Sequence, residues 1–223
     1  MRETIHIARA LHILEAHYAP WGNVLVRGMD YLCWNTLTSQ TTWLSPDLLV
    51  AFGIDVETAA MWNGYVIDEV GRPPEFVLEV ASEHTGVRDY TVKRDGYAGY
   101  VIPEYWRFDW TGGDFHDQAL AGDRLVNGEY EPIPLTTEPD GMIWGHSEVL
   151  GLDLCWEDGN LRFYDPAAGR YLPDIQGALE ERDAESAARQ AAQARAEAAE
   201  ARAEASEAEV RRLREQLRLG QSE

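Results

Sequence analysis

Lysine is almost missing from this chain. Of its 19 basic residues 18 are arginines and one, Lys93, is a lysine. Cysteine is nearly as scarce. Cys33 and Cys155 lie far apart and form no CxxC pair, which excludes a cysteine-built zinc framework and leads us to expect free thiols in a reducing cytoplasm. No apolar run is long enough to span a bilayer, and residues 2–18 mix Arg, Glu and His throughout rather than forming a signal peptide. No membrane partner and a cytoplasmic location are therefore expected. Positive charge is in deficit: 39 acids against 19 bases give a net charge of −20. Tight nonspecific binding to a polyanion depends on basic groups displacing counterions, so this balance argues against it. The six histidines (His6, His12, His17, His84, His116 and His146) form no HExxH and no Cys/His cluster, and no P-loop, GxSxG or GxGxxG is present.

What is present is enough for a core. The 223 residues, 45% hydrophobic with eight Trp, suffice for one well-packed domain plus an extension. The boundary falls near residue 175. Residues 1–175 hold 28 acids and 11 bases, a balance of −17; residues 176–223 hold 11 acids and 8 bases, a balance of −3. The acidity belongs to the globular part. Beyond it the chain turns to Ala, Glu and Arg without Pro, a composition of high helix propensity. An apolar seam through Ala192, Ala196, Ala199, Ala203, Ser206, Val210, Leu213 and Leu217 fits a weak coiled coil. Two readings stand for this long helix, a solvated single helix laced by charge pairs or a stalk for a homodimer.

Within the globular part, Ile5, Ala8, Leu11 and Leu14 (or Glu15) carry helical spacing over residues 2–18. Strand-like runs follow at Asn23–Arg27, Tyr31–Asn35, Asp47–Phe52 and Phe76–Ala81. Residues 89–101 read as a helix with Tyr90, Lys93 or Arg94, Tyr97 and Val101 on one face. Glu104–Asp109 reads as a strand, with Tyr105 and Trp106 as core. Strands and turns run from 114 to 164, with a hairpin signal at Asn127-Gly128.

Glu79 is out of place in this pattern, because it sits in the apolar run FVLEVA. A buried carboxylate is costly unless something pairs with it. One reading is a paired structural acid at a strand end. The other is a metal ligand: if the strand opened by Asp47 neighbours the strand of Glu79, two hard oxygen donors converge, as Mg²⁺ prefers. Lys93 follows Glu79 by 14 residues. In a chain that otherwise writes its cations as Arg, a compact ammonium there suits a site holding a water beside a phosphate, although one lysine has to sit somewhere.

The stretches SPDLLVAFG, PPEFVLEVAS and RDYTVKRDGYAGYVIPEYWRFD together resemble the Uma-type restriction endonuclease family, a bacterial group within the PD-(D/E)XK nuclease superfamily. The matching positions are Pro46-Asp47, Glu79 with Ser82, Asp89 with Lys93 and Tyr97, and Pro103-Glu104-Tyr105-Trp106; the likeness spans about residues 3–175. The resemblance implies an α/β (α+β) fold with a restriction-endonuclease-like core, a mixed β-sheet flanked by helices. It implies Mg²⁺ or Mn²⁺ on Asp47 and Glu79, with the Val80 carbonyl as a further ligand, and Lys93 as the catalytic lysine, supplied from the following helix because Ala81 holds the superfamily's usual lysine position. Glu3, and second Glu15, would supply a first-helix acid. Ser82 and His84 could line the site, and Arg88 and Arg94 could meet phosphates or pair with nearby acids. The implied reaction is metal-dependent hydrolysis of DNA phosphodiester bonds. The alternative, favoured by the acidic balance, is a catalytically silent nuclease-fold interaction module oligomerised by its C-terminal helix.

Overall fold

A computed structural model describes residues 2–35, 43–61, 63–83 and 86–174, together with Arg189, Gln193, Arg195 and Arg202. The chain divides into two compact units, Met1–Ile175 and Gln176–Glu223. In the second unit the four described residues are helical, and the coiled-coil seam expected there lies outside the described residues. Among the described residues no helix is long and apolar enough to cross a membrane.

The first unit is mixed α/β. It opens with α1 (Arg2–Tyr18), then β1 (Val24–Gly28), β2 (Leu32–Cys33), β3 (Leu48–Phe52), α2 (Val56–Ala60), β4 (Tyr65–Val66) and α3 (Ile67–Val70). Next come β5 (Phe76–Val80), α4 (Gly86–Arg88), a π-helical turn over Asp89–Lys93, α5 (Arg94–Gly99) and β6 (Glu104–Phe108). The remainder is β: β7 (Leu120–Val126), β8 (Glu129–Pro132), β9 (Thr136–Thr137), β10 (Ile143–Ser147), β11 (Leu152–Glu157), β12 (Asn160–Asp165) and β13 (Arg170–Tyr171).

The main sheet has six strands in the order β1-β3-β5-β6-β7-β8. Only its central pair, β5 and β6, is parallel, joined by the crossover through α4 and α5; the other pairs are antiparallel. Strands covered on both faces read as unbroken apolar runs, and β3 and β5 do so. On one face Val50, Phe76, Leu78, Val80, Trp106 and Phe108 meet α1 and the inner side of a second sheet, ordered β13-β12-β11-β10-β9. On the other face Leu49, Ala51, Val77 and Tyr105 meet Tyr97, Tyr100 and Ile102 of the crossover. The hairpin at Asn127-Gly128 forms as expected, both residues having the positive φ (53° and 89°) that such a turn demands. Cys33 and Cys155 are free and buried.

Two helical expectations need correction. In α1 the buried stripe is Ile7, Ala10, Ile13, Leu14 and Tyr18, while Ile5 is 58% exposed. The sequence carries apolar residues at helical spacing in two phases, and the sheet selects the one that ends in Tyr18, whose hydroxyl donates to the Leu150 carbonyl at 2.8 Å. The helical run after β5 is also shifted from residues 89–101, starting earlier, at Gly86. It ends at Gly99, and Val101 stands outside it at φ 61°, 54% exposed. Between Phe52 and Pro73, where no element was expected, Asp55 caps α2 by accepting from the N–H groups of Glu57 and Thr58.

Candidate active site

The alternation of β5 decides what Glu79 can reach. Phe76, Leu78 and Val80 point toward α1, so Val77 and Glu79 point the other way, at the crossover. Register then brings in Asp47. Leu48 pairs with Leu78 across the antiparallel β3–β5 ladder, so Asp47, one residue before β3, stands opposite Glu79. Its Oδ2 accepts the Val80 N–H at 2.8 Å, taking the place of a ladder partner that β3 no longer supplies. The N–H and C=O of one strand residue leave on the same edge, so the Val80 carbonyl is also turned toward Asp47.

The crossover delivers the rest. Lys93 Nζ lies 2.8 Å from Glu79 Oε2 and 3.0 Å from Asp89 Oδ1. The Tyr97 hydroxyl donates to Glu79 Oε1 at 2.5 Å. Lys93 and Tyr97 are four apart, so successive turns aim both side chains at one carboxylate. On the far side of Asp89, His116 Nε2 sits 3.0 Å from Asp89 Oδ2, and the Tyr105 hydroxyl donates to the Asp89 backbone carbonyl at 2.7 Å. Glu79 and Asp89 are fully buried, while Lys93 and Asp47 are partly exposed and form the mouth of the cluster.

Two carboxyl groups, Glu79 and Asp89, thus share one ammonium, with Asp47 a third acid nearby. Burial pushes the Glu79 carboxyl well above the usual range; Lys93 pulls it down, and Asp47 and Asp89 push it up again. Asp47 is likewise raised by burial, against the Val80 N–H and Lys93. Burial disfavours the Lys93 cation, yet Glu79 and Asp89 outweigh it and hold the ammonium above its ordinary value. Tyr97 is pushed well above a normal phenol by burial and by Glu79.

A divalent cation fits this donor set. Glu79 Oε2 is buried, receives no aligned hydrogen bond, and has the Lys93 ammonium beside it. Asp47 is the second hard oxygen donor, and the surplus negative charge is what a small dication offsets. Among the described residues no three His, Cys, Asp or Glu side chains converge as a cage. Such a cation would therefore complete its shell with backbone carbonyl, water or substrate oxygens, as Mg²⁺ commonly does.

The other expected residues lie elsewhere. α1 covers the opposite face of the sheet, and among the described residues no hydrogen bond or ion pair joins Glu3 or Glu15 to Asp47 or Glu79; Glu15 is exposed beside His12 at 3.6 Å. His84 lies outside the described residues. Arg94 takes the acid-pairing option, bonding Asp123 at 2.9 Å and the Tyr130 carbonyl at 2.7 Å. Two roles escaped the sequence. Asp89 stands four residues before Lys93, a spacing that signals a pair on a helix. His116, far along the chain and in a loop, gave no signal.

A family model named Uma2, described as "Putative restriction endonuclease", matches residues 20–157. That span is shorter than the 3–175 expected and begins after α1, so Glu3 and Glu15 lie outside it. Among solved structures the chain is similar to a protein from Anabaena variabilis described as "a putative nuclease belonging to DUF820". The two share 13% identity over 66% of this chain and 73% of that one, with a TM-score of 0.45. A comparison with curated proteins found no match.

Proposed function

The chain belongs to the Uma2 family, and from that premise we propose that Asp47, Glu79 and Lys93 form the centre of a metal-dependent endonuclease that hydrolyses DNA phosphodiester bonds. On this reading the mixed sheet with its β5–β6 crossover is a restriction-endonuclease-like core. The observation that carries the reading is the convergence of the three residues: Asp47 opposite Glu79 across the ladder, and the single lysine 2.8 Å from Glu79.

Mg²⁺ or Mn²⁺ would be held by Asp47, Glu79 and the Val80 carbonyl, and such an ion would polarise a phosphate oxygen and acidify a bound water. The protein's own groups do the rest. Tyr97 fixes the plane of the Glu79 carboxylate through its 2.5 Å hydrogen bond. The Val80 N–H fixes Asp47 through Oδ2. Lys93, whose charge is secured by its two acids, orients the attacking water or stabilises charge building on the phosphate. Buried surroundings strengthen each of these interactions.

The balance of −17 over residues 1–175 favours a second reading, a nuclease fold without catalysis that acts as an interaction module and oligomerises through residues 176–223. Plasmid nicking separates the two. Purified protein should nick supercoiled DNA in Mg²⁺ or Mn²⁺ and not in EDTA, and Asp47→Ala and Lys93→Ala should abolish nicking while remaining folded. Nicking that survives both substitutions would sink the site. A folded wild type that neither nicks DNA nor binds Mn²⁺ would establish the silent module.

A further inference from the structure

We propose that Asp89 and His116 form a buried clamp that holds Lys93 in place over Glu79, making both of them positioning residues. The inference deepens the nuclease reading and rests on Lys93 being its working ammonium.

A lysine side chain is a point charge on a flexible stem, and nothing in its own bonding fixes where the ammonium sits. Here it is fixed from outside. Asp89 spends one oxygen on each side: Oδ1 faces Lys93 Nζ at 3.0 Å, and Oδ2 faces His116 Nε2 at 3.0 Å. In the tautomer we assign, His116 carries the proton on Nε2 and donates it to this oxygen. Asp89 and His116 have fully buried side chains.

His116 is itself held with unusual thoroughness for a loop residue. The buried Asp109 carboxylate, just past β6, accepts the backbone N–H groups of Thr111, Phe115 and His116, each at 2.8 Å, and the Thr111 hydroxyl at 2.5 Å. This closes residues 109–116 on themselves and sets His116 against the start of the crossover. There the backbones meet: a Cβ on Gly86 would lie 2.0 Å from the Phe115 carbonyl oxygen, so only glycine lets α4 approach the loop this closely. Tyr105 adds a bond to the Asp89 carbonyl from the sheet. Asp109, His116, Asp89, Lys93 and Glu79 thus form one continuous line of contacts in which each group fixes the next.

The sole lysine makes the clamp directly observable. In protein labelled with ¹⁵N,¹³C-lysine, every side-chain lysine signal is Lys93. An unheld ammonium exchanges its protons with water too fast to give a cross-peak near neutral pH; a clamped one gives one. The wild type should show this Nζ–H cross-peak. Asp89→Asn and His116→Ala should lose it, or shorten its exchange lifetime at least tenfold, with the backbone amide spectrum of the main sheet retained. His116→Gln, whose amide N–H can replace Nε2–H, should restore it. A wild type whose Lys93 exchanges like free lysine would overturn the clamp, a measurement that needs no variant to fold. So would a wild-type cross-peak in His116→Ala. Cleavage is not read here, so failure of the nuclease reading leaves this result standing. A metal-dependent nuclease with a freely exchanging Lys93 would defeat only the clamp.

Discussion

Glu79 and Glu104 sit on adjacent strands of one sheet, both fully buried, and face opposite ways. Glu104 points to the α1 side and is saturated. It accepts from Ser147 Oγ at 2.5 Å, the Trp106 indole N–H at 3.1 Å, the Glu148 N–H at 3.0 Å, the Val149 N–H at 3.4 Å and Arg124 at 3.2 Å. These donors tie β6 to the β10–β11 turn and so lock the second sheet to the first. Glu79 points to the crossover and has one hydroxyl and one shared ammonium, with two further carboxyls beside it. A buried acid with all its lone pairs filled is a structural post. A buried acid crowded by other acids behind the mouth formed by Asp47 and Lys93 carries surplus charge that a cation would offset, which is the role proposed for Glu79. Burial alone does not distinguish them; the neighbours do.

The largest expected effect bears on the post. Glu104→Ala leaves the Ser147, Trp106 and Glu148 donors without acceptors and should cost about 3–5 kcal/mol in chemical denaturation. Glu79→Gln, which relieves like-charge crowding and keeps an acceptor for Tyr97, should change stability by about 1 kcal/mol or less in EDTA. Equal costs at the two positions would erase the contrast.

Next comes activity, where the order reverses. Lys93→Arg preserves the charge but replaces a compact ammonium with a planar fork; nicking should fall by about 10²–10³-fold in a single-turnover assay. Retained activity would mean that charge alone suffices and that the geometry around Glu79 is unimportant.

A glycine pair sharpens the comparison inside the crossover. Gly86→Ala forces a Cβ into the Phe115 carbonyl and should destabilise the protein by about 1–3 kcal/mol while disturbing His116. Gly99→Ala, at the end of α5 with nothing within 4 Å, should be neutral or stabilise by about 0.5 kcal/mol. Thermal melts of the two would separate a required close approach from an incidental glycine.

The smallest effect belongs to the α1 face. His6 packs on Phe108 and Trp110, and burial, with Arg9 nearby, lowers its pKa below 6.5. The unfolded chain therefore binds a proton that the folded one resists. Stability contributed by the neutral ring is present above pH 6.5 and is lost as pH falls below it. His6→Phe should remove about a degree or two of the fall in Tm between pH 7 and pH 5. An unchanged pH profile would show that the ring is solvated.

Much of this was legible in the sequence, for physical reasons that can be named. Unbroken apolar runs made β3 and β5 visible, and Pro46-Asp47 and Glu79 became adjacent once those strands paired. Lys93 stood out by composition. Glu104 shows the limit, since its PEYW motif marked it without saying whether it was a post or a ligand. That depends on Arg124, directly opposite on β7, and on Ser147, which arrives from the second sheet. His116 was unreadable for the same reason, as its position is set by the Asp109 loop. The phase of α1 was ambiguous because two apolar stripes compete, and strands after residue 114 carried no sign of which sheet they would join.

Titrating Mn²⁺ into metal-free wild type, Glu79→Gln and Glu104→Gln, with bound ion read by electron paramagnetic resonance, tests the central claim most directly. The account predicts binding to the wild type that Glu79→Gln weakens at least tenfold and that folded Glu104→Gln retains. Equal binding by the wild type and Glu79→Gln, or binding lost only in Glu104→Gln, would contradict it.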